Sequence, residues 1–167
     1  MALNALYPTS DYAEEQPLGH FILTTHVVHR TLPIGAFISS AIPLTSKFIF
    51  RRAAAQAHPA PMLLLRSNST GFFVSSIIGL GMTFGRMNGR EDIEWKDRSW
   101  RLLRNKGQTE LDDFSAAGLV LGSVVGAVQR GPLPLWRGVL GGAGLGTLAG
   151  TLVFAAWKLS TSKKEEK

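Results

Sequence analysis

Four long uncharged stretches alternate with charged segments along this chain, at residues 31–46, 67–85, 114–129 and 138–157. A helix that crosses a bilayer needs about 20 apolar residues, with about 17 as a lower limit. The second and fourth stretches meet this length unaided, and the other two meet it by including apolar neighbours. The pattern therefore predicts an all-α membrane protein with about four transmembrane helices. Their expected bounds are residues 31–50, 66–86, 111–130 and 137–158.

Glycines repeat at every fourth position in the last two stretches. They are Gly118, Gly122 and Gly126 in the third stretch and Gly138, Gly142, Gly146 and Gly150 in the fourth. Small residues four apart let membrane helices approach closely. Residues 130–137 between them contain two prolines and form a short connection. The spacing predicts an antiparallel helical hairpin packed along two glycine stripes, with Gly35 and Ser39, and Gly81 and Gly85, as weaker pairs elsewhere.

A polar insert at residues 87–110 separates the second and third predicted spans. Acidic residues at its start and basic residues at its end complement a helix macrodipole, which predicts a surface helix over residues 91–106. Gly107 is the expected C-cap of this helix. Three apolar residues share one side of it: Ile93, Trp100 and Leu103. This strip suits contact with a membrane or a partner protein, and the alternative is a solvated helix that folds back on its own bundle.

The remaining segments are terminal. Residues 1–18 form an acidic extramembrane arm, residues 19–159 a single helical membrane domain, and residues 160–167 a charged tail. The arm has no basic residue, whereas cleaved targeting sequences are basic, so targeting is expected to be internal. The number of basic residues places the N-terminal side on the matrix-like face. The net positive charge lies on the other side, so the orientation stays open.

The first helix has two candidate starts. If it begins near Gly19, Arg30 lies at membrane depth, where an ionisable residue is costly and usually functional. If it begins near Arg30, Pro33 falls in the first turn, where proline is favoured. We favour the second start. His26 and His29 would share a helix face near His20, but no carboxylate or cysteine nearby completes a metal site, so none is expected.

Composition narrows the chemistry. The chain has no cysteine, which excludes disulfides and thiolate metal sites, and charged residues make up only 18%. A soluble helical bundle would show polar faces, and residues 138–157 show none. Residues 141–146 are rich in glycine but lack the Lys-Ser/Thr of a phosphate-binding loop. We therefore expect no catalytic residues, no cofactor, no nucleic acid and no small-molecule substrate.

The net charge of +6 indicates an anionic partner. Four arginines sit at expected helix ends: Arg51, Arg52, Arg130 and Arg137. Basic residues at helix ends suit anionic phospholipid headgroups, with cardiolipin as one candidate.

The small size, the four glycine-rich spans and the glycine stripes resemble the inner-membrane translocase superfamily, which also includes an accessory subunit of respiratory complex I. Residues 7–12 and residues 94–107 resemble the NUXM accessory subunits of the membrane arm in fungal complex I. The NUXM resemblance implies a multi-pass protein of the mitochondrial inner membrane. It also implies other membrane subunits of complex I as partners and a structural role without catalysis.

The alternative is a translocase-like or assembly protein, although the charged insert departs from the translocase pattern. That alternative calls for a polar, water-facing stripe on the spans. The second stretch offers five residues for such a stripe: Ser67, Ser69, Ser75, Ser76 and Thr83.

Overall fold

The computed structural model describes the backbone of residues 7–165 and the side chains of residues 7–161. The described residues are 83% helical and contain no strand. A 3₁₀ turn at Ala13–Glu15 precedes the first helix. The helices are α1 (Gly19–Leu44), α2 (Ala53–Gln56), α3 (Ala60–Met87), α4 (Asp92–Arg104), α5 (Lys106–Val128) and α6 (Leu135–Glu165). The predicted all-α class is therefore confirmed.

Three helical segments are long and apolar enough to cross a membrane. They are Gly19–Ile49, Lys106–Val128 and Leu135–Thr161. The remaining long helix, α3, has 28 residues and is long enough to cross a membrane. Its hydropathy is lowered by the polar residues 67–70 near its start. The second predicted span, at residues 66–86, thus has the length but not the composition of the other three.

The favoured start of the first helix near Arg30 is wrong. Helix α1 begins at Gly19, so Pro33 lies inside it and Arg30 lies in its twelfth position. The physical reason is packing, because Gly19 is buried against α4. A methyl group on Gly19 would lie 3.1 Å from the Cα atom of Lys96. At its other end the helix continues into a π-helical turn at Thr45–Ile49.

The surface helix forms, but its C-terminal boundary differs from the prediction. Helix α4 ends at Arg104, and Gly107 lies in the first turn of α5 rather than at a C-cap. Asn105 separates the two helices because its side chain caps α5, accepting a hydrogen bond of 3.2 Å from the backbone N–H of Gln108. Most of the polar insert is therefore helical, and its last residues, 106–110, form the first part of α5 and lead directly into the third predicted span.

The two predicted glycine stripes lie against each other in an antiparallel α5–α6 hairpin. A methyl group on Gly122 would overlap the carbonyl oxygen of Gly142 and come within 2.8 Å of the Gly146 Cα atom. Methyl groups on Gly118 and Gly126 would likewise overlap carbonyl oxygens of α6. The two backbones touch directly, because no side chain lies between them along this line.

Helices α1 and α3 form a second antiparallel pair, again through small residues. Gly35 packs on Ser75, and Gly71 packs on Ser39. Gly79 continues the same face of α3, where a methyl group would lie 2.8 Å from the Val28 Cα atom. The pair that spacing suggested on α3 is wrong. Gly81 and Gly85 lie on another face of the helix and have open space beside them, with nothing within 4 Å.

The two hairpins join through α3 and α6. A methyl group on Gly141 would overlap the carbonyl oxygen of Leu65, and one on Gly144 would lie 3.6 Å from the Asn68 Cβ atom. Leu65 lies near the start of α3 and Gly141 near the start of α6. The connections before these helices, at residues 50–59 and 129–134, therefore lie at the same end of the bundle. We call this the basic end, because its charged residues are all basic: Lys47, Arg51, Arg52, Arg66, Arg130 and Arg137.

We predict that Gly122→Ala destabilises the bundle, whereas Gly81→Ala does not. The added methyl at position 122 meets backbone atoms that have no free space to move into, and such overpacking costs about 1–3 kcal/mol. At position 81 alanine gains up to about 1 kcal/mol of helix propensity without a clash. Thermal unfolding of the purified chain in detergent, followed by circular dichroism, measures both. Equal shifts in the two variants would contradict the close backbone contact.

Candidate functional site

Large apolar side chains cover the outside of the long helices. Ile34, Phe37, Ile77, Leu121 and Val128 are each more than 59% exposed. The interior contains many glycines and small polar residues, together with a few large apolar side chains such as Ile22 and Leu32. A soluble protein buries its large apolar residues, and contiguous exposed apolar surface marks contact with a membrane or a protein. The exterior of this bundle is therefore its main interaction surface.

Small polar residues inside the bundle form hydrogen bonds with helix backbone and with one another, although the Asn68 Oδ1 atom is buried without a partner. The Thr31 hydroxyl donates to the carbonyl oxygen of Ser75 at 2.7 Å and so links α1 to α3. The Asn68 side-chain amide donates to the Ser40 hydroxyl at 3.0 Å, which links the same two helices. Such interhelical hydrogen bonds stabilise helix pairs in an apolar medium.

The five residues that could form a polar, water-facing stripe on the second stretch do not form one. Ser69, Ser75 and Thr83 are buried, and their hydroxyls donate to carbonyl oxygens of α3 itself. Ser67 and Ser76 are half-buried. The polar residues of α3 mostly face the other helices.

A cluster of ionisable residues joins α1 to α5. The Arg30 Nε lies 3.0 Å from one carboxylate oxygen of Asp112, and the His26 Nδ1 lies 2.7 Å from the other. Arg30 also donates to the carbonyl oxygen of Gln108 at 3.0 Å. The side chains of His26 and Asp112 are only 14% and 16% exposed. This ion pair compensates the cost of holding Arg30 well inside α1.

Sequence reasoning missed Asp112 because it lies outside the uncharged stretches and far along the chain from Arg30. The signal that could have pointed to Asp112 was the alternative start of the first helix, near Gly19. A start at Gly19 places Arg30 at depth, and a charge at depth needs an opposite charge, for which the acidic residues just before the third stretch are the nearest candidates.

The three histidines of α1 lie in different surroundings. His20 stacks on Trp95 with ring centroids 4.1 Å apart and lies 3.0 Å from the Asp92 carboxylate. The pKa of Asp92 lies below its usual value, mainly because Lys96 donates a hydrogen bond to its carboxylate and to a smaller extent because His20 does. His29 Nε2 is buried without a hydrogen-bond partner. Across the described part of the chain, no group of three His, Cys, Asp or Glu residues is arranged to hold a metal ion.

Helix α4 and residues 7–18 of the N-terminal arm form a cap over the start of α1. The Trp100 indole N–H donates to the carbonyl oxygen of Ser10 at 3.2 Å, and the Arg104 guanidinium lies 4.3 Å from the Trp100 ring. Leu103 is buried within the chain. The expected partner contacts at Trp100 and Leu103 are thus used inside the molecule, because α4 folds back on its own bundle. Of the three strip residues only Ile93, at 41% exposure, faces outward.

The four arginines expected at helix ends all lie at the basic end. Arg51 and Arg52 fall between the π-helical turn and α2, and the Arg52 guanidinium lies 5.7 Å from the Phe50 ring. Arg130 donates to the carbonyl oxygen of Leu133 at 2.9 Å. Arg137 lies 5.0 Å from the Trp136 ring. Aromatic and basic side chains together at helix ends are typical of a membrane–water interface. Lipid contact at these four residues remains a prediction.

These features define a small all-helical protein with an apolar exterior, a charged cap at one end and a basic surface at the other. The sequence profile of DUF1757, a family described as a protein of unknown function, matches residues 13–155. The chain belongs to this family. Comparison with curated proteins finds no match.

We predict that Asp112→Asn lowers the stability of the bundle far more than Asp97→Asn. The first change leaves Arg30 without its counter-charge, at a cost of about 1–3 kcal/mol, below that of a fully buried pair because Arg30 is 27% exposed. The second removes a pair with Arg101, whose side chain is 73% exposed, and costs less than about 0.5 kcal/mol. Thermal unfolding in detergent measures both. Equal losses of stability in the two variants would show that the Arg30–Asp112 pair stabilises the bundle no more than an exposed ion pair does.

We also predict that Trp100→Phe loosens the N-terminal arm. The change keeps most of the apolar ring but removes the hydrogen bond to Ser10, worth about 1 kcal/mol. Cleavage by a glutamate-specific protease after Glu14 or Glu15 should then become about fivefold faster. Trp136→Phe at the basic end is the matched control and should leave this cleavage unchanged. An unchanged rate in Trp100→Phe would mean that other contacts hold the arm.

Proposed function

We propose that this chain is a non-catalytic structural accessory subunit in the membrane arm of mitochondrial NADH:ubiquinone oxidoreductase, or complex I. The observation that carries the proposal is the apolar exterior of a bundle whose interior is fastened by glycine backbone contacts. Such a bundle is closely packed along its glycine contacts and presents many large apolar side chains outward. It is suited to fill space between other membrane subunits, which are its proposed partners in the respiratory chain.

The proposal places the chain in the mitochondrial inner membrane with four spans. Helix α3 is the fourth span because it packs between α1 and α6, both of which are apolar enough to cross a membrane. Its polar residues Asn68, Ser69 and Ser75 are buried against these neighbours and need not meet lipid. The resemblance of residues 7–12 and 94–107 to the NUXM accessory subunits supports the location and the complex.

The cap supplies the contacts outside the membrane. Its outer surface carries exposed charges of both signs, among them Asp11, Glu14, Glu15 and Arg101. Mixed charge at an interface contributes orientation and specificity more than affinity. We propose that the cap orients the bundle against neighbouring subunits, and that assembly or stability of the membrane arm depends on this contact.

A translocase-like or assembly role is the second candidate. The observation in its favour is a groove of about 890 Å³ beside α1 and α3, which includes the polar residues Ser39, Ser67 and Thr70. Against it, Ser69 and Thr83 do not line this groove, and Ser75, which does, is buried and donates its hydroxyl to the carbonyl oxygen of Gly71. The structural role accounts for the whole apolar exterior, whereas the translocase-like role accounts only for this groove.

The test is native gel electrophoresis of mitochondria solubilised in mild detergent, with a tagged copy of the chain expressed in the source organism. We expect the tag to migrate with NADH dehydrogenase activity at the size of the intact complex. A Gly122→Val variant, which disrupts the α5–α6 seam, should be lost from that band, whereas Gly81→Val should remain. Migration with presequence translocase components, or as a small species alone, would overturn the proposal.

A further inference from the structure

The groove beside α1 and α3 combines an apolar wall with a cation near one end. Six large apolar side chains along it are each at least 50% exposed: Ile34, Ile38, Ile42, Val74, Ile78 and Met82. Arg66 and His58 line the same groove towards the start of α3. Its volume of about 890 Å³ is within the range of about 300–1,000 Å³ that is typical of sites for one small molecule.

Arg66 is the cation of this groove that has no assigned structural role. Lys47, near it at the basic end, donates to the carbonyl oxygens of Ala55 and His58. In the part of the chain that the structure describes, no carboxylate or carbonyl group pairs with the Arg66 guanidinium. Its side chain is exposed on the groove, so it is free to bind an anion there.

The surrounding charge sets the sign of the ligand. The sequence has no acidic residue between Glu15 and Glu91, or between Asp113 and Glu165, so the basic end has no internal counter-charge. Basic residues beside an apolar membrane surface attract anionic lipid headgroups. An arginine also matches the geometry of a phosphate through paired N–H donors.

We propose that the α1–α3 groove is a binding site for one anionic phospholipid. The phosphate lies on Arg66, and an acyl chain lies along the isoleucines of α1 and the apolar face of α3. A partner helix with an apolar face fits less well, because it would cover the Arg66 cation without neutralising it. The site is distinct from the four arginines expected at helix ends and needs only a surrounding bilayer.

The first test is native mass spectrometry of the purified full chain, released from micelles that contain phosphatidylglycerol and phosphatidylcholine with the same acyl chains. We expect one phosphatidylglycerol to be retained in preference to phosphatidylcholine. Arg66→Gln should reduce this retention about tenfold, as expected for the loss of a charge-assisted hydrogen bond. Arg86→Gln, on the far end of α3, is the matched control and should retain the lipid. Equal retention of both lipids, or equal loss in both variants, would overturn the proposal.

A second variant tests the apolar part of the site. Thr70→Trp places a large ring in the groove and should displace the acyl chain, so retention should fall even though Arg66 is intact. Val128→Trp, on an exposed face outside the groove, should leave retention unchanged. Retention that survives Thr70→Trp would overturn the acyl-chain position.

A photoreactive residue at Ile38 distinguishes the occupant in native membranes. A lipid adduct is the expected result, and a protein adduct would overturn the proposal in favour of a partner helix. The lipid measurements use the isolated chain, so they succeed or fail independently of whether the chain migrates with complex I.

Discussion

Direct contact between the backbones of α5 and α6 is the constraint on which the rest of this structure depends. Seven glycines at spacing four remove every side chain from the seam, so carbonyl oxygens of one helix lie against the Cα atoms of the other. In lipid, apolar side chains gain little by leaving the solvent for another helix, and close packing must hold the helices together. The seam supplies that packing, and through Gly141 and Gly144 the same helix α6 also receives α3.

Because small residues occupy most of the helix–helix contacts, most of the large apolar side chains face the surroundings. This division explains why the polar residues of α3 are buried while its isoleucines are exposed. It also explains the position of the ionisable cluster at His26, Arg30 and Asp112, which lies where α1 meets α5 and carries a charge pair that lipid would not tolerate singly. The apolar exterior and the exposed Arg66 follow from the same packing of small residues, because neither the outer apolar side chains nor Arg66 takes part in the contacts between helices.

Local spacing was sufficient to predict the helical class, the position of three apolar segments and the glycine stripes of α5 and α6. The start of α1 was not predictable in this way, because Gly19 is fixed by contact with Lys96 of α4 and Arg30 by a partner 82 positions away. The packing face of α3 was predicted wrongly for a similar reason. Gly71, Ser75 and Gly79 are spaced as regularly as Gly81 and Gly85, and only the position of α1 decides which set is covered. The roles of Trp100 and Leu103 likewise depended on where the N-terminal arm lies.

The buried polar face of α3 has a consequence for how the protein is made. A helix with Asn68, Ser69 and Ser75 on one side gains less from entering an apolar medium than its neighbours do. Among the described residues, its hydrogen bonds to another helix are both made with α1, through Thr31 and Ser40, and α1 precedes α3 along the chain. Helix α6 is synthesised last of the long helices, and it then packs on Leu65 and Asn68 through Gly141 and Gly144. The order of synthesis is therefore also a workable order of folding, because the interhelical hydrogen bonds of α3 can form before the C-terminal hairpin exists.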